Sequence, residues 1–305
     1  MRSTPQRSEG AEKTGFYDYK IMTTNKRHWF NRLLRHRSGT MGMIIVIVYA
    51  LIAVFAWAVA PYSPIEQHVK DRLQPPWSEN YVLGTDEFGR DILSRLMHGA
   101  TNSLRVAVTA VVVAGAIGTI TGTVSAYVGG ITDMVLMRGM DLIFAFPAIL
   151  LALFVSAALG PGLFNTVIAI SIVYLPIFAR VARGSVLSIK EMDFVEASRC
   201  LGATPWRLIL AHILPNALAP SVVQVSLALS WAMLTEASLS FLGLGTEPPA
   251  PSWGLMLSES RKMMELAPWM AIAPGVAIMF GVLGFNLLGD GMRDALDPRL
   301  QFAKE

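Results

Sequence analysis

Six stretches of this chain run for 16 to 23 residues without one Asp, Glu, Lys or Arg: Met41 to Ala60, Val106 to Val128, Leu142 to Leu159, Leu163 to Phe178, Ala217 to Leu234 and Trp269 to Leu288.

 A helix crossing ~30 Å of hydrocarbon at 1.5 Å per residue needs about 20 apolar residues, so each stretch reads as a transmembrane span. The fourth, of 16 residues, borrows Gly162 to reach that length, and Pro161-Gly162 supplies the tight turn of a hairpin between the third and fourth spans. With 53% hydrophobic and only 15% charged residues, the remainder of the chain cannot dilute this pattern into a soluble protein. The fold class is therefore all-α and polytopic, with six transmembrane helices.

Ala58-Val59-Ala60 before Pro61 resembles a signal-peptide cleavage site. About 40 polar residues precede the run, however, and its length exceeds the usual apolar core of such a peptide, so the first span reads as a retained anchor. Lys and Arg set the orientation. Residues 1–40 carry nine, the 61–105 loop five, 129–141 one, 179–216 five, 246–268 two and the tail three. Placing both termini with 129–141 and 179–216 gathers 18 basic residues on one side against seven, which makes that side cytoplasmic. The chain then divides into a cytoplasmic tail (1–40), a first span (41–60), a periplasmic loop with a short helix (61–105), a core of five spans (106–288) and a cytoplasmic tail (289–305).

Several segments between and within the spans carry local signals. Trp29, Phe30, Leu33 and Leu34 among Arg27, Arg32 and Arg35 suit an interfacial helix on lipid. Thr85 reads as an N-cap, with Asp86/Arg90 and Asp91/Arg95 as exposed i,i+4 pairs. Gly118 and Gly122, extended by Ala126, form a small-residue stripe that lets another helix approach. Ser188 to Asn216 reads as two short helices. Ser188/Glu191 and Asp193/Glu196 have capping spacing, Gly202 fits a left-handed stop, Thr204-Pro205 fits a second start, and Pro215 ends the second helix at the membrane edge. Such an element serves as a docking surface for a protein groove or as a plain connector; spacing alone admits both.

The letters of that segment resemble a known pattern. Glu196-Ala197-Ser198, Gly202 and Leu214-Pro215 are similar to the "EAA" loop of bacterial importer permeases of the ATP-binding-cassette class, with Ser198 for the second Ala and Ile213 one residue late. Gly84-Thr85-Asp86 with Gly89-Arg90-Asp91, Leu239 to Gly245 with Pro251-Ser252-Trp253-Gly254, and Gly289-Asp290-Gly291 with Arg293 to Pro298 resemble the dipeptide/oligopeptide permease family, "C" subunit. The resemblance implies a type I importer permease fold, a homologous "B" permease partner, two cytoplasmic ATPases that bind ATP and Mg, and a periplasmic substrate-binding protein. It also implies a coupling helix over Asp193 to Leu201, with Asp193, Glu196, Ala197, Ser198, Gly202, Leu214 and Pro215 as the ATPase-coupling residues.

Glu236, directly after the fifth span, is a candidate for the translocation pathway; ending the helix near the outer interface or pairing with a partner's cation are its other readings. Asp141 with Arg138 suits a local ion pair. The five histidines show no metal-ligand spacing, and the lone Cys200 excludes an internal disulfide or a Cys-based metal site. No phosphate-binding Gly-x-x-x-x-Gly-Lys-Ser/Thr, Gly-x-Ser-x-Gly or His-Glu-x-x-His occurs, so the chain is expected to hold no catalytic residue and no cofactor of its own. A net charge of +3 gives no nucleic-acid surface. A secondary transporter would show repeats or charged, broken spans. Expected is therefore a multi-pass subunit of the inner or plasma membrane carrying dipeptides or short oligopeptides, with nickel, glutathione, haem and sugars as the alternative cargoes.

Overall fold

Uncharged runs of this length satisfy their backbone groups only as helices when water is absent, and helices are what they form. The computed structural model describes residue 33 and residues 36–296. The expected interfacial helix lies outside the described residues except for Leu33, which is buried, and so does the tail beyond Leu296. Nine helices organise the described residues. They are α1 (Arg37–Val59), α2 (Ile92–Val128), α3 (Gly130–Phe144), α4 (Ala148–Leu159), α5 (Leu163–Ile189), α6 (Asp193–Cys200), α7 (Pro205–Phe241), α8 (Trp253–Ser260) and α9 (Trp269–Leu296). Five of them are long and apolar enough to cross a membrane, and α3 with α4 supplies a sixth crossing as a bent pair.

Several boundaries differ from the sequence expectation. The second span does not begin at residue 106: α2 starts at Ile92 and runs 37 residues without a break. Its cap is Asp91, which accepts from the Ser94 amide at 2.8 Å, and not Thr85. The third span is not a straight helix over 142–159, because α3 and α4 meet at 90° around Ala145–Pro147. Pro147 has no amide hydrogen to continue α3, and the break follows from that. The fourth span is longer than its apolar run. It continues past Phe178 to Ile189, with Arg180 and Arg183 on its last turns.

Pro215 does not end a helix. It lies in the first turn of the Leu214–Phe241 stretch, directly after a π-helical turn over Leu208–Ile213. A wider turn relieves the clash that a proline ring makes with the preceding turn, so α7 passes through this point. The tail expected from Gly289 is helical as far as Leu296.

Small residues draw the core together. A Cβ on Gly118 would lie 2.7 Å from Leu175 O, and one on Gly122 would lie 2.1 Å from Ala179 O, so α2 rests directly on the backbone of α5. Gly42 of α1 meets α9 in the same manner, where a Cβ would sit 2.3 Å from the Leu288 amide. Buried Ala107, Ala110, Ala114, Phe178, Met233 and Trp253 fill the space between α2, α5, α7 and α8. Most of α1 remains exposed on the bundle's rim.

Candidate functional site

One short helix stands apart from the bundle yet is anchored to it. In α6 only Val195 is fully buried, and it joins Ala126, Val186, Ile189, Leu208, Ile213 and Ala217 in a second apolar cluster. Burying a Val of this size stabilises by roughly 1.5–3 kcal/mol, enough to hold a helix of eight residues against the ends of α2, α5 and α7. Lys190 adds a hydrogen bond from Nζ to Ala126 O at 2.9 Å.

The remaining surface of α6 faces out. Asp193, Glu196 and Ala197 are exposed, and Ser198 is half-buried because its hydroxyl donates back to Phe194 O at 2.8 Å. Asp193 and Glu196 lie in the first turn and Arg199 in the last, the arrangement that the helix dipole favours. Met192, not Asp193, occupies the N-cap position, and no side chain caps there; Ser188 lies within α5.

The stop is formed by Gly202. At φ +82° it lets its own amide reach Arg199 O at 2.9 Å and the Ala203 amide reach Ser198 O at 3.1 Å. This paired geometry ends a helix on a left-handed residue, and glycine adopts it without steric cost. Thr204 and Pro205 then begin α7, although the Thr204 side chain caps nothing. Leu201, between the two helices, is 89% exposed, and Trp206, in the first turn of α7, is 73% exposed. Two large apolar side chains beside an acidic helix, on a turn keyed into the bundle, make a surface suited to docking a protein. Leu214 is half-buried and Pro215 exposed beside it.

The other expected residues distribute as follows. Gly118, Gly122 and Ala126 lie along the α2/α5 contact, and Ala126 belongs to the cluster under α6. Glu236 is 1% exposed, inside the subunit, where Oε1 accepts from Ser240 Oγ at 2.7 Å. Its carboxylate is thus held among the side chains of this subunit. Asp141 accepts chiefly from Arg180 Nη2 at 2.8 Å, with Arg138 at 4.0 Å.

Sequence reasoning missed two features. At the end of the bundle opposite α6, the expected exposed pairs are buried. Asp86 binds Arg90 at 2.5 Å and Arg95 at 3.6 Å, while Glu259 of α8 takes Arg90 at 3.3 Å and Arg95 at 2.6 Å. Asp91 is spent on Ser94 and not on Arg95. Gly84 and Gly89, both at positive φ, fold the 61–91 segment back on itself, so close to the carbonyls of Gln74 and His68 that no Cβ fits. Burial, seconded by the hydrogen bond to the Asp71 carboxylate, pushes the neighbouring Tyr81 hydroxyl up to about 12. The second feature is the α3/α4 bend itself, whose residues are exposed. Among the described residues no cluster of His, Cys, Asp or Glu is arranged to hold a metal ion.

Comparison with known proteins places this geometry. Residues 114–302 match the family model of binding-protein-dependent transport system inner membrane components. Residues 26–76 match the N-terminal transmembrane domain of oligopeptide transport permease C. The chain is 46% identical over 275 residues to the dipeptide transport system permease protein DppC of Alkalihalophilus pseudofirmus, covering 90% of each chain. It is 45% identical to the di/tripeptide transport system permease protein DppC of Pseudomonas aeruginosa, covering 88% of this chain and 90% of that one. Identity to the glutathione transport system permease protein GsiD of Pectobacterium atrosepticum is 42%, over 92% of this chain and 94% of the relative. In fold, a solved inward-facing form of the MetNI methionine ABC transporter superposes with a TM-score of 0.54 at 19% identity, over 68% of this chain and 98% of that one.

Proposed function

We propose that this chain, which belongs to the family of binding-protein-dependent transport system inner membrane components, is the permease subunit through which an ATP-driven importer moves dipeptides or short oligopeptides. The observation that carries the reading is the build of α6: buried on one side through Val195, and open on the other through Glu196, Leu201 and Trp206. A partner that docks there can move the ends of α2, α5 and α7 together, because they share one apolar cluster with the docked helix.

In this mechanism two partner subunits bind ATP and Mg, and closure of their dimer displaces α6. The Glu196 carboxylate pairs with a basic group of the ATPase cleft, a charge-assisted contact that the exposed first turn leaves available. Gly202 fixes the angle between α6 and α7, so a displacement of one tilts the other. A homologous B-type permease completes the pathway, and a binding protein delivers cargo at the opposite end. The excess of basic residues on one side supports a cytoplasmic α6 end and cytoplasmic termini, within a cell inner or plasma membrane.

Relatives whose names specify dipeptides and di/tripeptides support the cargo, and a relative named for glutathione, itself a tripeptide, supports a second cargo of the same chemistry. The test is a coupling assay on the complete transporter. Glu196→Lys and Gly202→Asp are expected to reach the membrane and assemble, yet to hydrolyse ATP without uptake. Uptake at the normal rate by both variants contradicts the role given to α6.

A further inference from the structure

Of the four arginines on α2 and α5, three are spent within the chain: Arg95 on Glu259, Arg180 on Asp141 and Arg183 on Asp133. Arg105 is not. It is exposed, and it makes no hydrogen bond or ion pair with any described residue. Its position on α2 gives its depth. The uncharged run begins at the next residue, Val106, and continues to Val128, which is the length that crosses the hydrocarbon core. The guanidinium therefore stands at the level of the lipid headgroups, on the side opposite α6.

From Arg105 inward, a groove of about 670 Å³ runs between α2 and α5. Val106, Val113 and Ile117 wall it on α2, and Leu163, Ile168 and Ile172 on α5. The Ser171 hydroxyl on the same wall is taken up by the Val167 and Ala110 carbonyls, at 2.7 and 3.2 Å, and Thr109 adds a hydroxyl one turn from Arg105 at the mouth. The groove lies open sideways: Phe164 beside the mouth is 74% exposed and Ile117 at the far end 48%. It stops where Gly118 seats α2 on the Leu175 carbonyl of α5. From Arg105 to Ile117, and from Leu163 to Leu175, each helix rises by about 18 Å. That is the depth of one leaflet, half of a ~30 Å core plus its headgroup edge. A second transmembrane helix on this face would need a groove as deep as the whole core, whereas an acyl chain needs one that begins at a phosphate and ends near the midplane.

We infer that this groove is a phospholipid site, in which the Arg105 guanidinium holds the phosphate of a lipid from the leaflet opposite α6 and one acyl chain lies between α2 and α5. Charge and shape agree on this occupant. A guanidinium presents paired donors that match phosphate oxygens, and a charge-assisted bond of this kind is about twice as strong as a neutral one. The volume falls within the ~300–1,000 Å³ of ordinary small-molecule sites, and the walls are apolar as a chain requires. A seated chain fills the space that α2 and α5 leave between them outside their Gly118/Gly122 contact. The site needs only the membrane crossings and is independent of the importer reading and of the cargo.

The experiment uses the complete transporter in vesicles of phosphatidylethanolamine and phosphatidylglycerol that carry a trace of phosphatidylglycerol with a photoactivatable group midway along one acyl chain. Cross-links are mapped by mass spectrometry. The peptides holding Val113 and Ile168 are expected to be labelled, and a long-chain alcohol bearing the same group but no phosphate is expected to label them about tenfold less. Arg105→Gln is expected to lower phospholipid labelling of the groove about tenfold, to the level of the alcohol, while Arg105→Lys retains most of it. Val113→Trp fills the groove without touching the guanidinium and is expected to abolish labelling at Ile168. Equal labelling by the two probes, or by the unmodified and Arg105→Gln complexes, means bulk lipid against an apolar wall and overturns the inference. No labelling by either probe means that another protein surface covers the groove, and overturns it as well. Arg105 is exposed, so Arg105→Gln keeps the test decisive if Val113→Trp fails to assemble. Uptake is not read, so failure of the importer reading leaves the result intact.

Discussion

Glu259 touches two arginines that are themselves almost fully buried, and this single carboxylate joins α8 to the start of α2. Removing one partner from a buried ionic group leaves an uncompensated charge, which typically costs about 3–5 kcal/mol. Glu259→Ala is therefore expected to lower the melting temperature of the purified protein sharply, and an unchanged melting curve contradicts the account. At the glycines, space separates two kinds of cost. Gly122→Val drives a side chain into the Ala179 carbonyl and is expected to prevent α2 from seating on α5, seen as loss of the assembled complex from membranes. Gly202→Ala meets no atom within 4 Å, so its cost is the left-handed backbone alone, about 1–2 kcal/mol. Partial uptake is expected to survive it. The Gly118/Gly122 stripe was legible because its spacing is local. The ionic cluster was not, since Glu259 lies 164 residues from Arg95 and the i,i+4 spacing of Asp86 and Arg90 reads equally well as a solvated pair.

The helices show where local signals suffice and where they fail. Runs of uncharged residues located every crossing, because desolvated charge is excluded from lipid whatever the tertiary structure. Ends were less legible: α2 gains 14 polar-containing residues at its start, which packing against the 61–91 segment and α8 protects and which apolar counting cannot find. Pro147 and Pro215 have the same covalent chemistry and opposite outcomes. One breaks a crossing by 90°, and the other is absorbed by a π turn. Which occurs depends on neighbours, not on the proline. The α6 helix was legible from Gly202 and from its resemblance to a known loop, whereas its anchor, Val195, carried no signal of its own. Val195→Asp is expected to release α6 from the cluster beneath it, giving ATP hydrolysis without uptake while the bundle still assembles. Coupled uptake by that variant would show that the anchoring cluster transmits nothing.

At the scale of the whole molecule, the described residues form a bundle with a docking helix at one end and an ionic cap at the other. Between them runs a bent pair, α3 and α4, whose elbow is exposed. The chain belongs to a family of transport-system inner membrane components, whose members act with partner subunits. In the function proposed above, energy enters through the α6 end and cargo through the opposite one. The most direct test of this account is uptake of a labelled dipeptide into vesicles holding this chain with its partner permease, ATPases and binding protein, with ATP on the nucleotide side and an ionophore present. The account predicts uptake that requires ATP and the binding protein and is indifferent to the ionophore. Uptake that proceeds without ATP and collapses with the ion gradient contradicts it.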